Sequence, residues 1–164
     1  MPEWPEFHLR ALLRRLDAAR VEFVVIGGIA AIAHGSPRFT FDLDIVYAPD
    51  DANLERLGRV LQDLHATLLG VTDDVPFVPD ARTLRHVRLL TLETDEGRLD
   101  VMVQPDGSTG YDQLLAGSIE AIVGGTAVRV AGLDDLIAMK KAAGRPKDRI
   151  YVEELEAIKR LSGG

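Results

Sequence analysis

Leu9, Leu12, Leu13 and Leu16 recur at helical spacing with Arg10, Arg14 and Arg15 on other faces, so Pro5–Ala19 reads as a helix burying one stripe. The nearly continuous apolar run Val21–Ile26, rich in β-branched residues and ending at Gly27-Gly28, reads as a buried strand. Ile29–His34, alanine-rich and stopped by Gly35, is a short helix. Arg38–Tyr47 alternates as a strand does, and Asp50–His65, with Leu54, Leu57, Leu61 and Leu64, returns to the helical period. Ala66–Val87 has Pro76, Pro79 and no sustained period, and is expected as a long ordered loop with one short strand. Arg88–Glu93 and Arg98–Val103 flank Thr94-Asp95-Glu96-Gly97 as a hairpin. A turn at Gly107–Gly110, a short helix Tyr111–Ala116 and a hairpin of Ala121–Val123 with Ala127–Val130 follow. Helices Leu133–Ala143 and Pro146–Leu161, parted by Gly144, close the chain. The order predicts an α+β (α/β mixed) fold, a mixed sheet flanked by helices, in a single domain over residues 1–164.

Strand parity brings in chemistry. Phe39, Phe41, Leu43, Ile45 and Tyr47 share one face of Arg38–Tyr47, leaving Arg38, Thr40, Asp42 and Asp44 on the other. Two carboxylates two residues apart on one strand face sit ~6–7 Å apart at the backbone and repel unless solvated or bridged. A divalent cation bridges them, and hard oxygen ligands suit magnesium or manganese. A half-exposed strand with solvated acids is the other reading. Asp100 stands on the polar parity of Arg98–Val103, a third carboxylate on a second strand. Three carboxylates on neighbouring strands form a nest for metal ions in phosphoryl-group chemistry, though adjacency is not a property of sequence. Gly27-Gly28, between strand and helix, offers backbone N–H groups to a phosphate, or is simply a tight turn.

Composition narrows the classes. The chain has 164 residues, 46% hydrophobic and 27% charged, enough to bury a core. With 19 basic against 26 acidic residues the net charge is −7, so any nucleic-acid contact needs a local patch. No cysteine is present, which excludes disulfides, thiolate metal sites and a cysteine nucleophile. Met1–Leu9 holds Glu3 and Glu6 and no apolar h-region, and no apolar run reaches the ~18 residues of a membrane span. A cytoplasmic protein with neither a membrane nor a DNA partner is expected.

Taken together, these residues resemble a known family. Ile26-Gly27-Gly28, then Gly35-Ser36-Pro37-Arg38-Phe39-Thr40-Phe41-Asp42-Leu43-Asp44-Ile45 and a distal Asp100 look like the nucleotidyltransferase superfamily of DNA polymerase beta. With Asp135–Lys140 and Gly144-Arg145-Pro146-Lys147-Asp148-Arg149 they are similar to the small bacterial nucleotidyltransferases of the AbiEii toxin type. The resemblance covers about Val21 to Glu156. It implies transfer of a nucleoside monophosphate from an NTP with release of pyrophosphate. Asp42, Asp44 and Asp100 are then ligands of Mg2+ or Mn2+, Gly27-Gly28 cradle phosphate, and Lys140 and Asp148 match the family's later motifs. Gly28 stands where many relatives carry serine. The acceptor is an RNA such as a tRNA 3′ end, a protein or a small molecule. A cognate toxin or antitoxin is the expected partner. A role as antitoxin modifying a partner toxin, and a nucleotide-binding module without turnover, are the alternatives.

Several residues carry two readings. Lys140 lies four residues from Leu136 and three from Ile137 and Ala143, in the middle of its helix's apolar stripe. Burying a lysine there is costly unless it is paired, so either its stem snorkels or its ammonium serves a triphosphate. Asp148, in a first helical turn after Pro146, suits the helix dipole in any protein. Ser36 and Thr40 are candidates for phosphate contact, or ordinary turn and strand residues. Arg38 meets the triphosphate or neutralises the two acids. His34 reads as structural at a helix end. Arg82, Arg85, His86 and Arg88 form a basic cluster, either an RNA-backbone contact or a solvated loop.

Overall fold

The computed structural model describes residues 8–71 and 76–162. Pro5–Phe7 of the expected first helix and Thr72–Val75 of the expected loop lie outside the described residues. A seven-stranded mixed sheet runs in the order β3-β4-β5-β2-β1-β7-β6. Its strands are β1 (Phe23–Ile26), β2 (Asp42–Tyr47), β3 (Thr67–Leu68), β4 (Leu89–Thr94), β5 (Gly97–Met102), β6 (Ile119–Val123) and β7 (Thr126–Val130). The helices are α1 (Leu9–Ala18), α2 (Gly27–Ala33), α3 (Asp51–Asp63), α4 (Ala81–His86), α5 (Tyr111–Ala116), α6 (Leu133–Ala143) and α7 (Pro146–Leu161). β1 and β2 are antiparallel, whereas β2 pairs with β5, and β1 with β7, in parallel.

The expected periodicities explain the core. All of β1 is buried, and Leu12, Leu13 and Leu16 of α1 are fully covered, each contributing about 1.5–3 kcal/mol by burial. α3 starts on Asp50, whose carboxylate accepts the Asn53 N–H at 3.1 Å. Asn53 itself is fully buried and ties β1 to β2 by bonds with Glu22 N–H, Glu22 C=O and Ala48 C=O. No helix among the described residues is long and apolar enough to cross a membrane.

Three expectations are corrected. The strand expected over Arg38–Tyr47 begins only at Asp42, with Phe39 93% and Phe41 57% exposed rather than on the buried face. Neighbours explain this: β1 turns into α2 after Ile26, opposite Asp44, and the pairing with β5 begins at Arg98, beside Asp42, so residues 38–41 reach past both. The segment expected as loop contains α4, capped by Asp80 on the Thr83 N–H at 2.9 Å. Six residues are too few to display a period, and α4 is fixed from outside by the buried Tyr47 hydroxyl donating to Leu84 C=O at 2.7 Å. The short helix after β1 also begins two residues early, at Gly27.

Candidate functional site

β1 runs into α2 without a connecting loop, and Gly27 takes φ +68, a backbone region favouring glycine. The register Ile26↔Asp44 brings Gly27 beside the Asp44 carboxylate, which any Cβ at position 27 would overlap. A Cβ at Gly28 would stand 2.9 Å from Thr40 Cβ and 3.0 Å from its Oγ1. Two absent side chains therefore let two polar groups come close to the backbone. Thr40 uses the space to donate its hydroxyl to Asp42 Oδ1 at 2.8 Å.

The parallel pairing of β2 with β5 sets Asp44 beside Asp100. Oxygens of Asp42, Asp44 and Asp100 all lie within 4.8 Å of one another. Burial, reinforced by the charges of Asp42 and Asp100, pushes the Asp44 carboxyl up to about 8. Asp100 is raised too, by burial first and by Asp42, while a hydrogen bond with Asp44 opposes the shift. Asp100 Oδ1 is buried without a hydrogen-bond partner among the described residues. Three crowded carboxylates, two of them raised in pKa and one with an oxygen left unpaired among the described residues, are a donor set that a divalent cation fits.

Two clefts meet at Asp44. A polar one of 410 Å³ is lined by Gly27, Gly28, Arg38, Thr40, Asp42 and Tyr151 among others, and a larger one of 620 Å³ by Asp100, Met102, Leu136, Met139 and Leu155. Lys140 borders both. Its side chain is 27% exposed, and Nζ lies 3.9 Å from Asp148 Oδ1. Burial lowers the Lys140 pKa, and the Asp148 charge works against that. Asp148 is buried at the third position of α7, where its carboxylate accepts from the Arg145 backbone N–H at 3.1 Å and from Arg145 Nε at 2.8 Å. Those hydrogen bonds hold it below the usual carboxylate range. Asp148 thus caps a helix and faces Lys140 together.

Ser36 and Arg38 approach the site through α7. The buried Ser36 hydroxyl donates to Glu154 Oε1 at 2.5 Å, and Arg38 Nε donates to Glu154 Oε2 at 2.6 Å. Burial works against ionisation of Glu154, but these two bonds outweigh it and keep the carboxyl low. Arg38 accordingly pairs with Glu154 rather than with the two acids of β2, while its guanidinium lies over the Tyr151 ring. Two members of the expected basic cluster are paired with acids at the surface: Arg85 with Asp51 at 2.7 Å and Arg88 with Asp106 at 3.2 Å. His34 Nε2 donates to Ala131 C=O at 2.8 Å, tying α2 to the strand end after β7. Arg145 stands in the motif Gly144–Arg149, but Tyr151 and Glu154 lie outside every motif of the sequence. The available signal was the three-residue spacing of Asp148, Tyr151 and Glu154 along one helix.

A family model described as "Nucleotidyl transferase AbiEii toxin, Type IV TA system" matches residues 10–150. No curated protein matches the chain. Among solved structures it is similar to the lincosamide antibiotic adenylyltransferase LnuA in its lincomycin-bound form, at 15% identity and TM-score 0.61 over 92% of this chain and 96% of that one. It is also similar to ANT(2")-Ia in complex with adenylyl-2"-tobramycin, at 16% identity and TM-score 0.58 over 93% and 86%. A nucleotidyltransferase-like protein from Paracoccidioides brasiliensis aligns at 16% identity and TM-score 0.54 over 93% and 74%. At these identities the likeness is one of fold.

Proposed function

Because the chain belongs to the AbiEii nucleotidyltransferase family, we propose that it moves a nucleoside monophosphate from an NTP to a hydroxyl on an RNA, such as a tRNA 3′ end, or on a protein. The setting is a cytoplasmic toxin–antitoxin or phage-defence system. The observation that carries the reading is the meeting of Asp42, Asp44 and Asp100 within 4.8 Å, with an unpaired Asp100 oxygen.

Asp42, Asp44 and Asp100 would hold Mg2+ or Mn2+. Such an ion supplies charge stabilisation at phosphoryl oxygens and a lowered pKa for an attacking hydroxyl. The remaining work belongs to the chain. Gly27 and Gly28 leave the backbone open to phosphate, and Thr40 fixes one oxygen of Asp42 and so its orientation. Lys140 and Arg38 present positive charge at the polar cleft, suited to the α-phosphate and the departing pyrophosphate. Asp148 steadies Lys140 from behind, and Ser36 anchors the loop bearing Arg38 to α7. No side-chain nucleophile is needed, since the acceptor hydroxyl attacks directly.

The larger cleft favours a second reading of the acceptor. Its 620 Å³ and its Met102, Leu136, Met139 and Leu155 lining are those of a small-molecule site. An antitoxin role, modifying a partner toxin, would use the same carboxylates and differ only in acceptor. The test is incubation with each labelled NTP and Mg2+ in the presence of total RNA, cell protein or small-molecule extract, with Asp42→Asn as control. Label on RNA or protein that disappears in Asp42→Asn supports the proposal. Label confined to small molecules selects the second reading, and a protein that labels nothing and binds no NTP defeats the transferase reading.

A further inference from the structure

Asp148, Tyr151 and Glu154 lie three residues apart on α7, which places them along one side of the helix. The two ends of this stripe each face a cation: Asp148 faces Lys140 at 3.9 Å, and Glu154 accepts from Arg38 at 2.6 Å. Between them the Tyr151 ring carries both charges, with the Arg38 guanidinium carbon 4.6 Å and Lys140 Nζ 4.7 Å from its centroid. Both distances fall inside the ~6 Å reach of a cation–π contact. The phenol oxygen is buried and makes no hydrogen bond among the described residues. The contacts Tyr151 makes with the site are therefore those of its ring.

The two cations also keep hydrogen-bonding capacity. The 3.9 Å separation of Lys140 from Asp148 is an ion pair longer than a hydrogen bond. Arg38 commits Nε to Glu154, and a guanidinium has five N–H donors in all. Lysine and arginine side chains are rich in rotamers, and a ligand must otherwise remove that freedom on binding. A ring that already restrains both removes part of that cost before the ligand arrives.

We propose that Tyr151 is a positioning residue, whose ring holds Arg38 and Lys140 at the polar cleft to receive the polyphosphate of the NTP. The proposal rests on the nucleotidyl-transfer reading above. It requires the ring and not the hydroxyl. It also requires Tyr151 to act through the two cations, so its effect is coupled to theirs.

The experiment measures binding of a non-hydrolysable NTP analogue by calorimetry, kcat and KM for transfer, and melting temperature. Tyr151→Phe is expected to keep analogue affinity within about threefold, whereas Tyr151→Leu weakens it about tenfold, raising KM more than it lowers kcat. In a Lys140→Met background the loss on going to leucine shrinks, as coupled groups require. Phenylalanines of increasing fluorination at position 151 keep the shape and drain the ring's negative face, so affinity falls stepwise along that series even if the leucine variant does not fold. A flat fluorine series, or a Tyr151→Phe loss as large as that of leucine, overturns the proposal while leaving the transferase reading in place. Wild-type protein that binds no nucleotide at all overturns both.

Discussion

Asp44→Asn tests the electrostatics of the site without any substrate. In the unfolded chain Asp44 loses its proton near the ordinary carboxylate value of 3.8, while in the folded metal-free protein it keeps the proton up to about 8. Between those values the native state binds more protons than the unfolded state, so stability falls as pH rises, by up to about 1.4 kcal/mol per unit, and levels off above the folded pKa. From pH 5 to pH 8 that amounts to at most about 4 kcal/mol. Asparagine removes the charge, keeps the shape and can donate an N–H towards Asp100, so the variant lacks this slope. At about 2–4 °C per kcal/mol for a chain of this size, Asp44→Asn should melt roughly 5–15 °C above wild type at pH 8 in EDTA. The gap should narrow steadily towards acid pH and close below the unfolded value of 3.8. Mg2+ should raise the wild-type melting temperature at pH 8 and leave the variant nearly unmoved. Parallel melting curves for the two proteins across pH 4.5–8, or a variant less stable at pH 8, would refute the picture of a strained carboxylate cluster.

Lys140→Met keeps the stem and removes a charge whose burial is unfavourable, while Arg145 still satisfies Asp148; melting temperature is expected to hold or rise and transfer to fall by at least tenfold, and wild-type turnover would make Lys140 structural. Gly28→Val drives a side chain into Thr40 and frees Asp42 Oδ1, so calorimetry should show lost NTP binding in a protein whose circular dichroism is unchanged. Gly27→Ala adds a Cβ that overlaps Asp44 at a positive φ, and a melting temperature equal to wild type would contradict that geometry. Asp148→Ala removes the cap of α7 and the ion pair of Lys140 together, so thermal stability and activity should both drop, whereas Asp134→Ala, at an exposed pair with Lys159, should change neither.

What the sequence reveals depends on the range of the interaction. Leu12, Leu13 and Leu16, Gly144 between the last helices and the alternation of Leu43, Ile45 and Tyr47 are local patterns, and they place α6, α7, the described part of α1 and the Asp42–Tyr47 part of the expected strand. The hairpin about Asp95-Glu96 is local as well. Phe39 and Phe41 mislead because alternation continues past the point where either neighbouring strand offers a partner. α4 escapes notice because Leu84 and Tyr47, far apart in sequence, hold it in place. Parity puts Asp42 and Asp44 on one face, but the approach of Asp100 follows from a β2–β5 register that no local pattern encodes. Tyr151 is hidden for the opposite reason. Its helical position is evident, yet a tyrosine on a helix face has no distinctive chemistry until two cations are found against its ring.

The strand order has a consequence for biosynthesis. Val25, next to the end of the second element, pairs with Val130, so β1 keeps an open edge until β7 has been made. Such long-range parallel pairing is slow, and its loop-closure entropy is met before the contacts form. A growing chain presents Asp42, Asp44 and later Asp100, but Lys140 and Tyr151 leave the ribosome only after β7. The site is therefore completed in a fixed order: Arg38 and the acids emerge first, Lys140 and Tyr151 last, and a polypeptide ending before α6 carries an incomplete site.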